Sequence, residues 1–308
     1  MDFVHAPVML PEVLAALQPR RGGVYADGTV GGGGHAAAIL EASTPEGWLW
    51  GCDRDDAALK AAGARLERFA GRFRLCHDNY SEMGQWVPPA SLDGLLLDLG
   101  VSSPQLDLAG RGFSFQREGP LDMRMDTRQP LTAAALVNEW SEFELARIFW
   151  ELGGERQSRL IARAITGARA ARPIETTLQL ASLIEKAVPR RGQKAHPATQ
   201  VFQALRIAVN DELGALERGM AGAVGLLRPG GRLAVITFHS LEDRMVKQFG
   251  NEQSRDYTFA GEVDVPELRQ PRVPILRWVQ RKAVQPTAAE VAVNPRARSA
   301  QLRVLEKV

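Results

Sequence analysis

The sequence predicts an α/β protein whose mostly parallel sheet is interrupted by an all-helical insertion. Three features predict it. Short apolar runs alternate with helical patterns before Asp107, the periodicity is helical alone from Leu131 to Val188, and sheet-like patterning returns at Arg228. Alternating strand and helix signals give βαβ units and a parallel sheet, and an uninterrupted helical block adds a separate packing layer.

The elements follow in order. Strands are expected at GGVYAD (Gly22 to Asp27), GWLWGCD (Gly47 to Asp53), FRLCH (Phe73 to His77) and LDGLLLD (Leu92 to Asp98), with HAAAILEAS and DDAALKAAGARLERFAG as helices between them. Right-handed crossovers then bring the C-terminal ends of these strands to one edge of the sheet. FELARIFWEL and LQLASLIEKAV carry the helical block, and ATQVFQALRIAVNDELGALERGMAGAVGLL reads as one long helix leading into a buried strand, RPGGRLAVITF. SAQLRVLEK (Ser299 to Lys307) alternates as a closing strand. The Pro- and Arg-rich stretch from Glu252 to Gln285 reads as a loop. Two domains are expected: residues 1–107 with 206–308, and an inserted helical domain over 108–205.

Composition narrows the function classes. The chain has 308 residues, is 45% hydrophobic and carries a formal net charge of only +2, so any nucleic-acid partner must be held by local basic groups. The first twenty residues lack the basic start and apolar run of a secretory signal, and no window is long and apolar enough for a membrane span. The expected compartment is the cytoplasm. Cys52 and Cys76 fit neither a disulfide framework nor a zinc spacing. Histidines at 5, 35, 77, 196 and 239 form no ligand-spaced cluster, so no metal is expected.

The most informative segment is YADGTVGGGGH, Tyr25 to His35. A strand ends at Asp27, glycines follow, and a helix opens near His35. Glycines allow a tight turn and close approach to a ligand, and the first helical turn presents free N–H groups. Gly31, Gly33 and Ala36 also satisfy a dinucleotide fingerprint, with Asp53 placed for a ribose, so a NAD-dependent oxidoreductase is a competing reading. Asp27 argues against it, because a carboxylate at the strand tip repels a pyrophosphate and suits a cationic ligand such as S-adenosylmethionine. Asp53 is then expected to accept the ribose hydroxyls, and Asp78-Asn79-Tyr80 to border the adenine. Each acidic strand end alone is equally well a helix cap. Four in succession (Asp27, Asp53, Asp78, Asp98) point to the ligand crevice of an open α/β sheet.

LLLDLGVSSPQLD (Leu95 to Asp107), with RGFSF and GPLDMRMD after it, closely resembles the bacterial 16S ribosomal RNA cytosine-N4 methyltransferases, the RsmH (MraW) family. HPATQVFQALRIAVNDEL, FHSLEDRMVK and NPRARSAQLRV extend the resemblance to nearly the whole chain. It implies a class I (Rossmann-like) methyltransferase sheet with an inserted helical substrate-recognition domain. It also implies methylation of N4 of the decoding-centre cytidine C1402 in 16S rRNA of the small subunit, with S-adenosyl-L-methionine as cofactor. The implied cofactor contacts are Gly33, Gly34, His35, Asp53, Tyr80, Asp98 and Gln105, with Tyr80 acting through its ring rather than its hydroxyl.

Amino-methyltransferases commonly place an Asp/Asn/Ser-Pro-Pro-aromatic motif after the fourth strand. Here the chain reads Asp98-Leu-Gly-Val-Ser-Ser-Pro, and Asp98 is the first choice for the catalytic residue. Ser102 and Ser103 are candidates for orienting the base, with turn chemistry before Pro104 as the alternative. Phe113 and Phe115 are candidates for stacking on an unstacked base, with core packing as the alternative. His5, His196 and His239 divide between substrate binding and local hydrogen bonding. RNA contacts are expected from Arg190, Arg191, Lys194 and His196; from Arg269, Arg272, Arg277, Arg281 and Lys282; and from Arg296, Arg298 and Arg303, each group being otherwise a solvated face. A monomer and a homodimer both remain open, as does a non-catalytic ribosome-assembly factor that keeps the pocket.

Overall fold

A computed structural model of the chain describes residues 7–189, 196–259 and 264–308, the side chains of residues 103 and 104 excepted. The chain divides into two units, Met1–Gly100 with Gly214–Val308, and Val101–Leu213.

The first unit is built on strands β1 (Val24–Asp27), β2 (Trp48–Asp53), β3 (Phe73–His77), β4 (Leu92–Asp98), β5 (Leu227–Thr237), β6 (Tyr257–Phe259), β7 (Arg269–Pro271), β8 (Leu276–Trp278) and β9 (Gln301–Lys307). Seven of them form one sheet in the order β3-β2-β1-β4-β5-β9-β8. β1 to β5 run parallel, β9 returns antiparallel to β5, and β8 is antiparallel to β9. This is the doubly wound, Rossmann-like α/β arrangement expected of the chain. β4 lies at the centre and is buried along six of its seven residues, which explains its unbroken apolar run. One core lies on each face of the sheet, with Leu96, Ile39 and Leu49 in one and Leu95, Leu97 and Leu216 in the other.

Buried Asp93 ties the N-terminal end of β1 to β4. Its carboxylate accepts the Val24 N–H at 2.9 Å and the Arg20 guanidinium at 2.8 Å, and it also pairs with Arg228. The stretch after Glu252 is more structured than a loop. It contains the β6–β7 hairpin and the edge strand β8. These strands are three residues long, too short for alternation to register in the sequence.

The second unit has its own core, around Phe149, Ile161, Leu180 and Leu205. Its helices include Glu142–Glu151 and Thr177–Ala187, which open on reciprocal capping boxes, Ser141 with Glu144 and Thr176 with Gln179. The single long helix expected from Ala198 is two helices, Ala198–Asn210 and Glu212–Leu226. Asp211 breaks it with φ 47°, a left-handed conformation that Asp tolerates better than most residues. Buried Asn210 donates to the Met123 and Arg206 carbonyls and accepts the Met125 N–H at 2.7 Å. The side chain thereby fixes the MRM segment, a structural use for residues that stood out only as motif.

Candidate active site

The sheet order reverses between β1 and β4, and such a switch point opens a crevice at the C-terminal strand ends. The register deepens it. Asp27, the last residue of β1, pairs with Gly51 and Leu96, whereas β2 and β4 continue to Asp53 and Asp98. The loop after Asp27 folds across the notch so formed. Gly28 N–H donates to the Leu96 carbonyl, Val30 N–H to the Cys52 carbonyl, and Gly31 N–H to Asp53 Oδ2, each at 2.9 Å. The Asp98 N–H donates in turn to Thr29 Oγ1 at 2.7 Å.

Two glycines are dictated by this geometry. A Cβ on Gly28 would lie 2.6 Å from Leu97 Cδ2 and 2.8 Å from Tyr80 Cβ. Gly33 caps the helix Gly34–Ala42 with φ 77°, and a Cβ there would meet the Ala62 backbone at 3.1 Å. Gly34 is closed off by Pro7 and Arg65, while a Cβ on Gly31 would meet the Thr29 carbonyl oxygen only at 3.8 Å. The exposed backbone of the glycine run is therefore at its start, and the first-turn N–H groups of the helix follow it.

The carboxylates give the notch its electrostatics. Asp27 is 1% exposed; Oδ1 accepts the Thr29 N–H, while Oδ2 is buried with no partner among the described residues. Burial raises its pKa to about 7 despite the opposing pull of His35 and the Thr29 N–H, and Asp98 and Asp53 push it further up. Burial likewise raises Asp53, against hydrogen bonds from the Asp55 and Gly31 N–H groups. Cys52 beneath them is raised well above the ordinary thiol value, by burial first and then by Asp53 and Asp27. His35 is buried, with both ring nitrogens unpartnered among the described residues, and its Nε2 is 3.6 Å from Asp98 Oδ2. The site is thus a negative recess with one buried carboxylate oxygen and one imidazole left unsatisfied.

The chain matches the MraW methylase family over residues 2–308. The chain belongs to that family. Among its relatives, the ribosomal RNA small subunit methyltransferase H of Geobacter sulfurreducens is 55% identical, with all of both chains covered. The enzyme of the same name from Symbiobacterium thermophilum is 52% identical, covering all of this chain and 98% of the relative. That from Citrifermentans bemidjiense is 51% identical, covering all of this chain and 99% of the relative. Family membership retires the dinucleotide reading of Gly31, Gly33 and Ala36. A methyl donor with a cationic centre fits the recess, because it supplies the counter-charge that Asp27 Oδ2 lacks.

Within this family frame, the structure gathers Gly33, His35, Asp53 and Asp98 at the ends of β1, β2 and β4. Asp78 follows β3, its N–H donating to the Asp53 carbonyl at 3.1 Å. Tyr80 is buried, with its ring edge against Gly219 and the Arg54 guanidinium 5.9 Å over the ring. Its ring is therefore largely committed to packing. Gln105 belongs to the second unit, on the short helix Ser103–Asp107, where its Oε1 accepts the Ser102 N–H at 2.9 Å. Ser102 Oγ accepts the Gln105 N–H at 3.4 Å, which is turn and cap chemistry, and the Ser103 side chain lies outside the described residues.

Several sequence-based candidates are spent on structure. Phe113 is buried, and the partly buried Phe115 packs on Phe202 and His196 at centroid distances of 4.8 and 4.7 Å, against the edge of the helical core. His196 Nδ1 takes the Ala198 N–H. His239 Nε2 lies 3.0 Å from Glu242 Oε1, and Glu242 Oε2 accepts the Phe238 and His239 N–H groups, a helix-opening arrangement. Arg269 pairs with Asp264, Arg277 with Glu306 and Arg303 with Asp243, while Arg272 donates to backbone carbonyls. Among the described residues of these groups, Arg281, Lys282 and Arg298 are exposed, and Arg277 is exposed although ion-paired. His5, Arg190, Arg191 and Lys194 lie outside the described residues. Sequence reasoning missed Thr29, whose hydroxyl locks Asp98; its only signal was its place inside the glycine run.

Proposed function

We propose that this chain is an S-adenosylmethionine-dependent methyltransferase acting on N4 of a decoding-centre cytidine in small-subunit ribosomal RNA. Full-length identity of about half to relatives named for small-subunit rRNA methylation carries the reading. The unit of Met1–Gly100 and Gly214–Val308 holds the cofactor in this proposal, and Val101–Leu213 recognises the RNA. Among the described residues no helix is long and apolar enough to cross a membrane, and the proposed place of action is the cytoplasm.

S-adenosylmethionine, when bound, would supply an electrophilic methyl group on a sulfonium with a neutral thioether as leaving group, and the methylated amine would have one proton to shed. A cytosine amine is a weak nucleophile because its lone pair enters the ring, but transfer to it creates little net charge. Positioning then supplies most of the acceleration, worth up to about 7–11 kcal/mol. Asp53 would hold the ribose hydroxyls, Gly34 and His35 in the first helical turn after Gly33 would offer backbone N–H groups to the donor's carboxylate end, and Asp27 would balance its positive charge. Tyr80 would border the adenine by packing. Asp98 accepts a hydrogen bond from the target amine and takes its proton.

Asp53→Ala should weaken cofactor binding by about 1–3 kcal/mol, since it strands hydroxyl donors. Calorimetry with S-adenosylhomocysteine reads this, and unchanged affinity removes the ribose role. The whole reading is tested with methyl-labelled S-adenosylmethionine and small subunits lacking the modification. Label on the decoding-centre cytidine is expected. Cofactor binding without transfer would indicate an assembly factor, and label in DNA but not rRNA would overturn the substrate.

A further inference from the structure

Any amine methylation must dispose of one proton, and the recess that accepts it loses a positive charge in the same step. Before transfer, the donor's sulfonium offsets the carboxylates of Asp27 and Asp98; afterwards the sulfur is a neutral thioether. A basic group lodged between those carboxylates would keep the recess balanced by holding the released proton.

His35 lies beside Asp98 in this recess. Its side chain is 7% exposed, behind the 20% exposed carboxylate of Asp98, and Nε2 lies 3.6 Å from Asp98 Oδ2. That is a few tenths of an ångström beyond a hydrogen bond. Neither ring nitrogen has a partner among the described residues, although a buried imidazole normally has at least one. The ring is also close enough to Asp27 to act on its ionisation. The elements packed around the helix Gly34–Ala42 are β1, β2 and the helices Leu10–Leu17 and Asp56–Leu66. Their charged groups nearest the recess are Asp27 and Asp53, with Arg65 beside Gly34 and Glu12 on the N-terminal helix, one of whose oxygens is buried. Carboxylates outnumber the cations here, so the recess is left with uncompensated negative charge once the sulfonium charge is gone.

We infer that His35 is the second proton station of this site. The proton leaves the methylated amine nitrogen for Asp98 Oδ2 and passes on to His35 Nε2. Asp98 returns to its anionic form, and the imidazolium replaces the charge lost at sulfur. An ordinary imidazole holds a proton more tightly than an ordinary carboxylate, which gives the step from Asp98 to His35 its direction. This role rests on the methyltransferase reading above.

The test follows the His35 ring by nitrogen-15 NMR in the full-length protein, saturated with S-adenosylmethionine or with S-adenosylhomocysteine, the resonance being assigned with His35→Gln. The ring should keep its proton to a pH at least about one unit higher with the thioether than with the sulfonium. In calorimetry, the thioether should bind with the larger proton uptake in Asp27→Asn as well as in the wild type, which separates a proton held at His35 from one taken up by Asp27. In turnover, His35→Gln should lose about tenfold to a hundredfold in kcat and alter the acid limb of its pH profile. Coincident titrations with equal proton uptake would overturn the inference while leaving the methyltransferase reading intact. A protein that binds neither compound would overturn both.

Discussion

Replacing Asp98 with alanine should lower kcat by about 10²–10⁴, the usual contribution of a positioned proton acceptor, and should leave RNA affinity nearly unchanged. The backbone of this residue is held without its carboxylate. Its N–H bonds to Thr29 Oγ1, its register partner is Ile236, and the Leu99 N–H donates to the Ile236 carbonyl at 3.0 Å. The carboxylate itself has weak protein contacts, one from the Gly100 N–H at 3.3 Å and the 3.6 Å approach of His35. Its loss therefore removes chemistry while the strand end stays in place. Asp98→Asn separates charge from shape and should be nearly as impaired. Single-turnover rates with labelled donor, alongside RNA binding, measure both effects, and undiminished turnover would exclude Asp98 from the reaction.

The second large effect concerns Asp27. Its carboxyl is pushed up to about 7 in the fold, chiefly by burial, from an ordinary value of 3.8. A carboxyl raised on folding contributes stability that is present below its unfolded value and lost as pH rises through its folded one. The ligand-free protein should accordingly lose stability between about pH 4 and pH 7, on the order of 4 kcal/mol. Asp53 acts in the same direction. Asp27→Asn should remove most of that slope and make the ligand-free protein the more stable of the two at pH 8. S-adenosylmethionine should stabilise the wild type more at pH 8 than at pH 5, because the cation lets Asp27 ionise. Denaturant titrations with and without cofactor read these differences, and a wild-type curve flat across the interval would contradict the assignment of Asp27 as an unbalanced buried charge.

Much of this site was legible in the residues because its parts sit at strand ends. β3 and β4 begin and end where their apolar runs do, and the acidic tips follow from those boundaries. Their convergence follows from parallel topology alone. What the sequence could not carry was vertical register. Nothing in YADGTVGGGGH tells that β1 stops two residues short of β2 and β4, yet that offset makes the recess and sends Asp27 inside it. The break at Asp211 was equally hidden, since apolar periodicity continues through it and one backbone torsion ends the helix. Phe115 and the paired arginines show the opposite failure. Residue type suggested nucleic-acid contact, and nothing in the sequence signalled the partners distant along the chain, Phe202 and Glu306, that also pack or pair with these side chains.

The central claim is that a negatively charged notch between β2 and β4 receives the methyl donor. A crystal structure of the protein loaded with S-adenosylmethionine tests it most directly. The ribose hydroxyls are expected on the Asp53 carboxylate, the amino-acid end at the first turn after Gly33, and the methyl group beside Asp98. Clear density for the cofactor on any other surface, with this notch filled by protein or solvent, would contradict it.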